Sequence, residues 1–336
     1  MASLLTTQSR LTLFPIQDNE VWEHAKKHLA AFWTAEELDF VDDHKDFQSL
    51  KSSEQRLLLN ILAFFASSDT LVSANISVNF VNEISGLEAQ YFYAMQNLIE
   101  QVHSETYSLQ ITTLVKDKIK QSKLFNAVHT DPSIKAKATW ALEYMGSGVP
   151  LNIRLFAFGL MEGLLFQSSF AVIFFFRTRN KMPGLCKSNE FIARDEGLHC
   201  QFSFMMFKRY NMKEVPKHFK ELGVFSPKTV LTEAAATEIL KKAVTIEKRF
   251  VDEALDVCVL GMNKMLMGQF VECVADNMMV LAGFSPVYNT KNPFPFMETS
   301  GLNNKTNFFE QRVSEYQLSG VGVKQEESVF STDVDF

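Results

Sequence analysis

The sequence predicts an all-helical protein. Gly (14) and Pro (9) are sparse among 336 residues, hydrophobic residues make up 46%, and apolar positions recur at helical spacing over long unbroken runs. So few breakers leave no supply of the closely spaced turns that a sandwich or an alternating α/β fold needs. The length suits one large domain or two ordinary ones. With 21% charged residues and 31 Phe there is ample material for a core, and no case for global disorder. The net charge of −6 supplies no basic face for phosphates, so nucleic acid is not an expected partner.

The elements follow in order. Phe14-Pro15-Ile16 and the polar residues after it read as an extended lead-in. Thr34 with Glu37 three residues later forms a capping box, which sets a helix start just after Trp33. Ser52 with Gln55 opens a second helix, running to about Ile84. Gly86 breaks it, and a third runs from Leu87 to about Lys116. Asp131 and Pro132 form an N-cap and N1 pair for a shorter helix through Tyr144, which Gly146 to Pro150 ends. Met182-Pro183-Gly184 is a turn, and Ser188 or Asn189 caps the helix that reaches Tyr210. Two more helices are expected, about Lys228 to Leu255 and Met262 to Ala282. From Asn292 the periodicity fades, and Val321 to Phe336 is polar and acidic.

Leu155 to Phe176 is the most apolar stretch, 22 residues with one charge. That length could span a bilayer. Glu162 near its middle and Gln167 are costly in lipid, however, and no second such segment accompanies it. A central helix buried on all sides gives the same pattern and is the reading adopted, with no membrane association. Cys186, Cys200, Cys258 and Cys273 are scattered without paired spacing, as expected for thiols in a reducing compartment. Met1 to Gln17 lacks the apolar core of a signal peptide, so a cytoplasmic protein is expected.

Chemistry enters at Glu100, His103 and Tyr107. At spacings of three and four these residues share one helix face. A carboxylate beside an imidazole suits a transition metal that accepts mixed O and N ligands, but a single ExxH is weak. A second copy strengthens it. Asp69 precedes Glu100 by 31 positions (69 to 100), and Glu162 precedes Glu196 by 34 (162 to 196), with His199 three further on. Each half of the chain is therefore a helix pair offering one carboxylate and then ExxH, the ligand pattern of carboxylate-bridged dimetal sites in helical bundles. Two close divalent ions repel each other unless bridging carboxylates offset their charge. Taken singly, Asp69 reads as a hydrogen bonder near Ser67 and Ser68, and Glu196 as a partner of Arg194 on a solvated face. All six in matching order on four helices are not plausibly chance.

With these residues in view, the chain closely resembles the radical-generating small subunit of class I ribonucleotide reductase, of the eukaryotic and large-DNA-virus type. The motifs that carry the resemblance are FWTAEELDF (32–40), LAFFASSD (62–69), EQVHSETYSL (100–109), MPGLCKSNEFIARDEGLHC (182–200), NPFPFME (292–298) and KTNFFEQRVSEYQ (305–317). The resemblance implies a ferritin-like helical bundle over 32–290, preceded by a lead-in (1–31) and followed by a C-terminal segment and docking tail (291–336). It implies that Asp69, Glu100 and His103 bind one iron and Glu162, Glu196 and His199 the other, with carboxylates bridging. Manganese is the lesser expectation.

By the same resemblance Tyr107 is the radical tyrosine, within an apolar pocket of Phe166, Phe170 and Ile192. Asp195 stands behind His103 and, with Trp33, forms a route that carries the radical equivalent outward; Tyr316 relays it to the large catalytic subunit, which reduces ribonucleotides. Val329 to Phe336 resembles the tail that docks into that subunit. A homodimer, O₂ and an electron donor complete the expectation. Read without the resemblance, Tyr107 is a core tyrosine bonded to a buried carboxylate, Phe166, Phe170 and Ile192 are core residues, and Asp195 forms a surface salt bridge. Trp33 is then a staple at a helix start, Tyr316 a tail aromatic, and the acidic terminus a solubilising tail. The sequence departs from animal members at Thr70 to Asn82 and at Leu151 to Arg154, touching none of these positions. Two alternatives stand beside this: an O₂-using oxidase or desaturase of the same architecture, which would not need Tyr316 or the tail, and a non-catalytic homologue that stores iron or regulates a related subunit.

Overall fold

A computed structural model describes residues 10–146, 148–254 and 262–297. Among them there is no β-strand element; eleven helices of eight residues or more carry the fold. They are α1 (Asn19–Ala30), α2 (Val41–Ser49), α3 (Ser52–Asn75), α4 (Leu87–Leu114), α5 (Lys118–Phe125), α6 (Pro132–Met145), α7 (Leu151–Gly163), α8 (Gln167–Thr178), α9 (Pro183–Tyr210), α10 (Glu233–Ala254) and α11 (Lys264–Ala282). The all-helical reading agrees with this architecture.

Four of these helices form the centre. α3 lies along α4, α7 lies along α9, and α4 also meets α9, so the two helix pairs inferred from the sequence face each other. Local chemistry sets the starts of α3 and of the neighbouring α6. α3 begins at Ser52, with Glu54 accepting from the Lys51 backbone N–H at 3.1 Å. α6 begins at Pro132, with Asp131 accepting from the Ser133 and Ile134 amides. α3 leaves the bundle through a π-helical turn, Ile76–Phe80, within one of the two segments where the sequence departs from animal members.

Four local expectations change. Asn19–Ala30 is a helix, not an extended lead-in: Val21, Ala25 and His28 recur at spacings of four and three and are buried on the side facing α4. The capping box at Thr34 and Glu37 forms, with the Thr34 N–H to Glu37 Oε1 bond at 2.9 Å, but it supports only a single 3₁₀ turn, Ala35–Glu37. α9 starts at Pro183, ahead of Ser188 and Asn189, because a neighbouring helix supplies the cap. Asp43 of α2 accepts from the amides of Gly184 (2.9 Å) and Leu185 (2.6 Å), and Asp46 accepts from Met182 (2.9 Å). No cap within α9's own sequence reveals this.

The apolar stretch 155–176 is two helices rather than one. α7 ends at Gly163, where the Leu164 and Leu165 amides both turn back to the Leu160 carbonyl, and α8 begins at Gln167. Close packing sets the position of Gly163: a Cβ there would lie 2.3 Å from Met278 Sδ and 2.4 Å from Cys200 Sγ. The reading of a buried core segment does hold, since 94% of the most apolar part of Leu151–Thr178 is enclosed by protein. The expectation that no second such segment exists does not hold: by length and composition alone this segment, Ser52–Glu83 and Lys264–Ala282 could each cross a membrane. Cys186, Cys200 and Cys273 are buried free thiols; Cys258 lies outside the described residues.

The break between α7 and α8 frees the Leu165 carbonyl, and Lys137 of α6 donates to it at 2.8 Å. The Lys137 ammonium also pairs with Glu247 of α10 at 2.7 Å and lies 3.7 and 3.8 Å from the ring centroids of Phe64 and Phe250. Ser168, in the first turn of α8, hydrogen-bonds the same carboxylate. Burial pulls the lysine down to about 8 and pushes the Glu247 carboxyl up. Breaking such a pair from one side strands a charge in the core. Lys137→Met should therefore cost about 3–5 kcal/mol in urea unfolding of the metal-free protein, and the double change Lys137→Met/Glu247→Leu should recover most of that loss. A single variant as stable as the parent would refute this.

Candidate metal centre

The site grows from helical spacing. Asp69 lies on α3, Glu100 and His103 on α4, Glu162 in the last turn of α7, and Glu196 and His199 on α9; all six are buried. Their ligand atoms fall into two overlapping groups, each within a 4.8 Å span. One is Asp69, Glu100 and His103; the other is Glu100, Glu162, Glu196 and His199. Glu100 belongs to both and so occupies a bridging position. Glu196 also spans the pair, 3.3 Å from His103 Nδ1 and 3.2 Å from His199 Nδ1. Both imidazoles turn Nδ1 to the carboxylates, with Glu100 3.5 Å from His103 and 3.0 Å from His199.

Many of these atoms lack hydrogen bonds. Both oxygens of Asp69 and of Glu100, Oε2 of Glu162, and Nδ1 of His103 are buried without one. Gln96, one turn before Glu100, donates to Glu162 Oε1 at 2.9 Å. Unpaired buried carboxylates are costly, and converging on cations relieves that cost. The donor set of carboxylates plus imidazoles fits hard-to-borderline divalent metals such as iron or manganese. This chain therefore has a site suited to metal.

The charges adjust accordingly. Burial, then the neighbouring Glu100, raises Asp69 well above the usual carboxylate range; burial with Glu196 and Glu100 does the same to Glu162. Burial opposes ionisation of Glu196 too, but the imidazoles of His103 and His199 beside it outweigh that and hold the carboxyl low. Burial likewise works against a charged His199, while Glu100 and Glu196 carry it up to about 9; His103 is raised well above its ordinary value by Asp195, Glu100 and Glu196.

Behind His103 stands Asp195. Its Oδ2 lies 3.2 Å from His103 Nε2 and accepts from the Trp33 indole N–H at 2.7 Å. Its Oδ1 takes the Arg194 guanidinium at 3.1 Å, and Arg194 also holds the Ala31 carbonyl. Arg194 therefore pairs with the buried Asp195 and not with Glu196. Trp33 sits in the short connection after α1, stacked on His103 with ring centroids 5.9 Å apart.

Tyr107 is buried one turn beyond His103. Phe65 stacks on it at 4.7 Å, and Phe65 in turn lies 5.7 Å from Phe166 and 5.3 Å from Phe170. Burial, then the Asp69 carboxylate, keeps the phenol well above its usual pKa. Ile192 is fully buried on α9. Tyr316 and Val329 to Phe336 lie outside the described residues. The sequence reading missed Gln96, Phe65 and His28. His28 of α1 meets His199 Nε2 at 2.9 Å, and the helical spacing of Val21, Ala25 and His28 was the available signal.

Comparison with known proteins gives this geometry a context. Residues 10–293 match the family model described as ribonucleotide reductase, small chain. The human ribonucleoside-diphosphate reductase subunit M2 is 44% identical over 328 residues, 97% of this chain and 80% of that protein. The small chain from vaccinia virus (strain Ankara) is 43% identical over 333 residues, 99% of each. Among solved structures, the Rnr4 homodimer of Saccharomyces cerevisiae ribonucleotide reductase matches with a TM-score of 0.74 at 29% identity, covering 88% of this chain and 89% of that one. The dimanganese(II) NrdF of Streptococcus sanguinis shares the fold, with a TM-score of 0.75 at 18% identity over 86% of this chain and 98% of that one. The motifs, the paired helices and the near full-length relatives agree: this chain belongs to the ribonucleotide reductase small-chain family.

Proposed function

We propose that the chain generates and holds an oxidising equivalent on Tyr107 and delivers it to a large catalytic subunit that reduces ribonucleoside diphosphates. Asp69, Glu100 and His103 would hold one iron and Glu162, Glu196 and His199 the other, with Glu100 and Glu196 shared between them. When bound, the metal pair supplies the O₂ chemistry, aided by an external electron donor, whose product is a one-electron-oxidised Tyr107. The remaining work falls to the protein. Phe65, Phe166, Phe170 and Ile192 keep water and reductants from the oxidised ring, because a dry apolar wall offers neither protons nor electrons. Burial beside Asp69 disfavours a phenolate, so Tyr107 starts as a phenol and gives up its proton only when the electron leaves.

The observation that carries this reading is the continuous chain from Trp33 through Asp195 to His103. Asp195 accepts from both ring N–H groups, which fixes the His103 ring with Nδ1 toward the carboxylates and sets the indole against a prospective ligand. Storage of metal requires no such aromatic exit. In the complete assembly Tyr316 would take the equivalent onward and Val329 to Phe336, two aromatics bracketing an acidic strip, would dock into the large subunit. A homodimer in the cytoplasm, with residues 291–336 acting as the docking segment, belongs to the same proposal.

Adding ferrous iron and air to the metal-free protein should give a tyrosyl doublet in low-temperature EPR. Mn(II) and air alone should give none. Tyr107→Phe should bind as much iron as the parent, lack the doublet, and lose essentially all ribonucleotide reduction with the large subunit; full activity in that variant would sink the assignment. Removing Val329 to Phe336 should leave iron uptake and the doublet intact and abolish turnover at ordinary subunit concentrations. Undiminished turnover would show that docking lies elsewhere.

A further inference from the structure

The two candidate histidine ligands are backed by different chemistry. His103 leans on a carboxylate, Asp195, while His199 leans on another imidazole, His28, with the two Nε2 atoms 2.9 Å apart. We propose that His28 is the positioning residue for His199, fixing it as a metal ligand through the Nε2–Nε2 hydrogen bond. The inference rests on the metal-site reading given above and deepens it.

The argument is one of tautomers. His199 turns Nδ1 to Glu100 (3.0 Å) and Glu196 (3.2 Å), so Nδ1 is the nitrogen available to a metal. A neutral imidazole with its lone pair on Nδ1 carries its proton on Nε2. That N–H points at His28 Nε2, which must therefore accept, leaving the proton of His28 on Nδ1. His28 Nδ1 is buried and has no hydrogen-bond partner. A helix optimised for packing alone would place an apolar side chain here, beside Phe92, whose ring centroid lies 5.3 Å away. The unpartnered Nδ1 is thus a cost tied to what Nε2 does. Because Asp195 is an anion and His28 a neutral acceptor, the two metal positions are unequal: the negative partner makes His103 the more basic ligand, and the His199 position depends on His28 for orientation alone.

The test is Mn(II) titration of the metal-free full chain, with free Mn(II) followed by EPR. The parent should take up two ions per chain. His28→Leu fills the same space without an acceptor and should weaken uptake of one ion by ten- to a hundredfold. His28→Gln, whose amide oxygen can accept from His199 Nε2, should restore uptake to within a few-fold of the parent. Metal-free His28→Leu removes the orphaned nitrogen of His28 but leaves His199 Nε2 without an acceptor, so it should melt close to the parent; this separates lost orientation from lost fold. Unchanged uptake in His28→Leu overturns the proposal. So does equal weakening in the Leu and Gln variants, which would mean that ring shape and not the hydrogen bond matters. If the parent itself takes up fewer than two ions, the metal-site reading fails first.

Discussion

Four carboxylates gathered within a few ångströms in a dry interior constrain everything around them. Asp69, Glu100, Glu162 and Glu196 come from four different helices, and each would repel the others without positive charge between them. His103 and His199 supply some of that charge, while Asp69 and Glu162 withdraw from ionisation. A bundle does not assemble this arrangement for stability, because an apolar core of the same volume would be cheaper. The helix pairing, the close approach at Gly163 and the external cap on α9 hold in register a cluster that would otherwise push the helices apart.

Much of this was legible in the sequence because helical spacing is a local code. Glu100, His103 and Tyr107, and separately Glu196 and His199, are brought together by their own helices, so no tertiary knowledge was needed to group them. The order of carboxylate, then ExxH, repeated in each half, supplied the pairing between helices. What the sequence did not disclose were the contributions that cross between elements. Asp43 caps a helix some 140 positions away (43 to 184), and no feature of residues 183–189 announces it. The need for glycine at 163, just before the interruption at 164–166, comes from Met278 and Cys200, which approach it from two other helices. His28 became relevant only when α1 folded against α4, bringing it to His199. The capping box at Thr34 was read correctly as a box and wrongly as the start of a helix, because Leu38 has extended backbone and ends the element after one turn.

Support for the site is layered by polarity. Closest in are the acceptor oxygens and imidazole Nδ1 atoms. Around them lie groups that each engage one of these, namely Asp195, His28 and Gln96. Farther out, on the Tyr107 side, aromatic rings replace polar groups altogether, from Phe65 to Phe166 and Phe170. The buried pair of Lys137 and Glu247 joins this wall at its back, tying α6 and α10 to the break that carries Phe166. One side of the cluster, toward Trp33, is thus fixed by hydrogen bonds, and the other, around Tyr107, is walled by aromatic rings.

Trp33 differs from the other members of this array in its mounting. The ligands and Tyr107 ride on long helices, whereas Trp33 occupies a short connection held in place by its indole bond to Asp195 and by the grip of Arg194 on the Ala31 carbonyl two residues earlier. One carboxylate thus sets two rings at once: whatever turns Asp195 turns the indole and the imidazole together, so neither can be re-aimed alone.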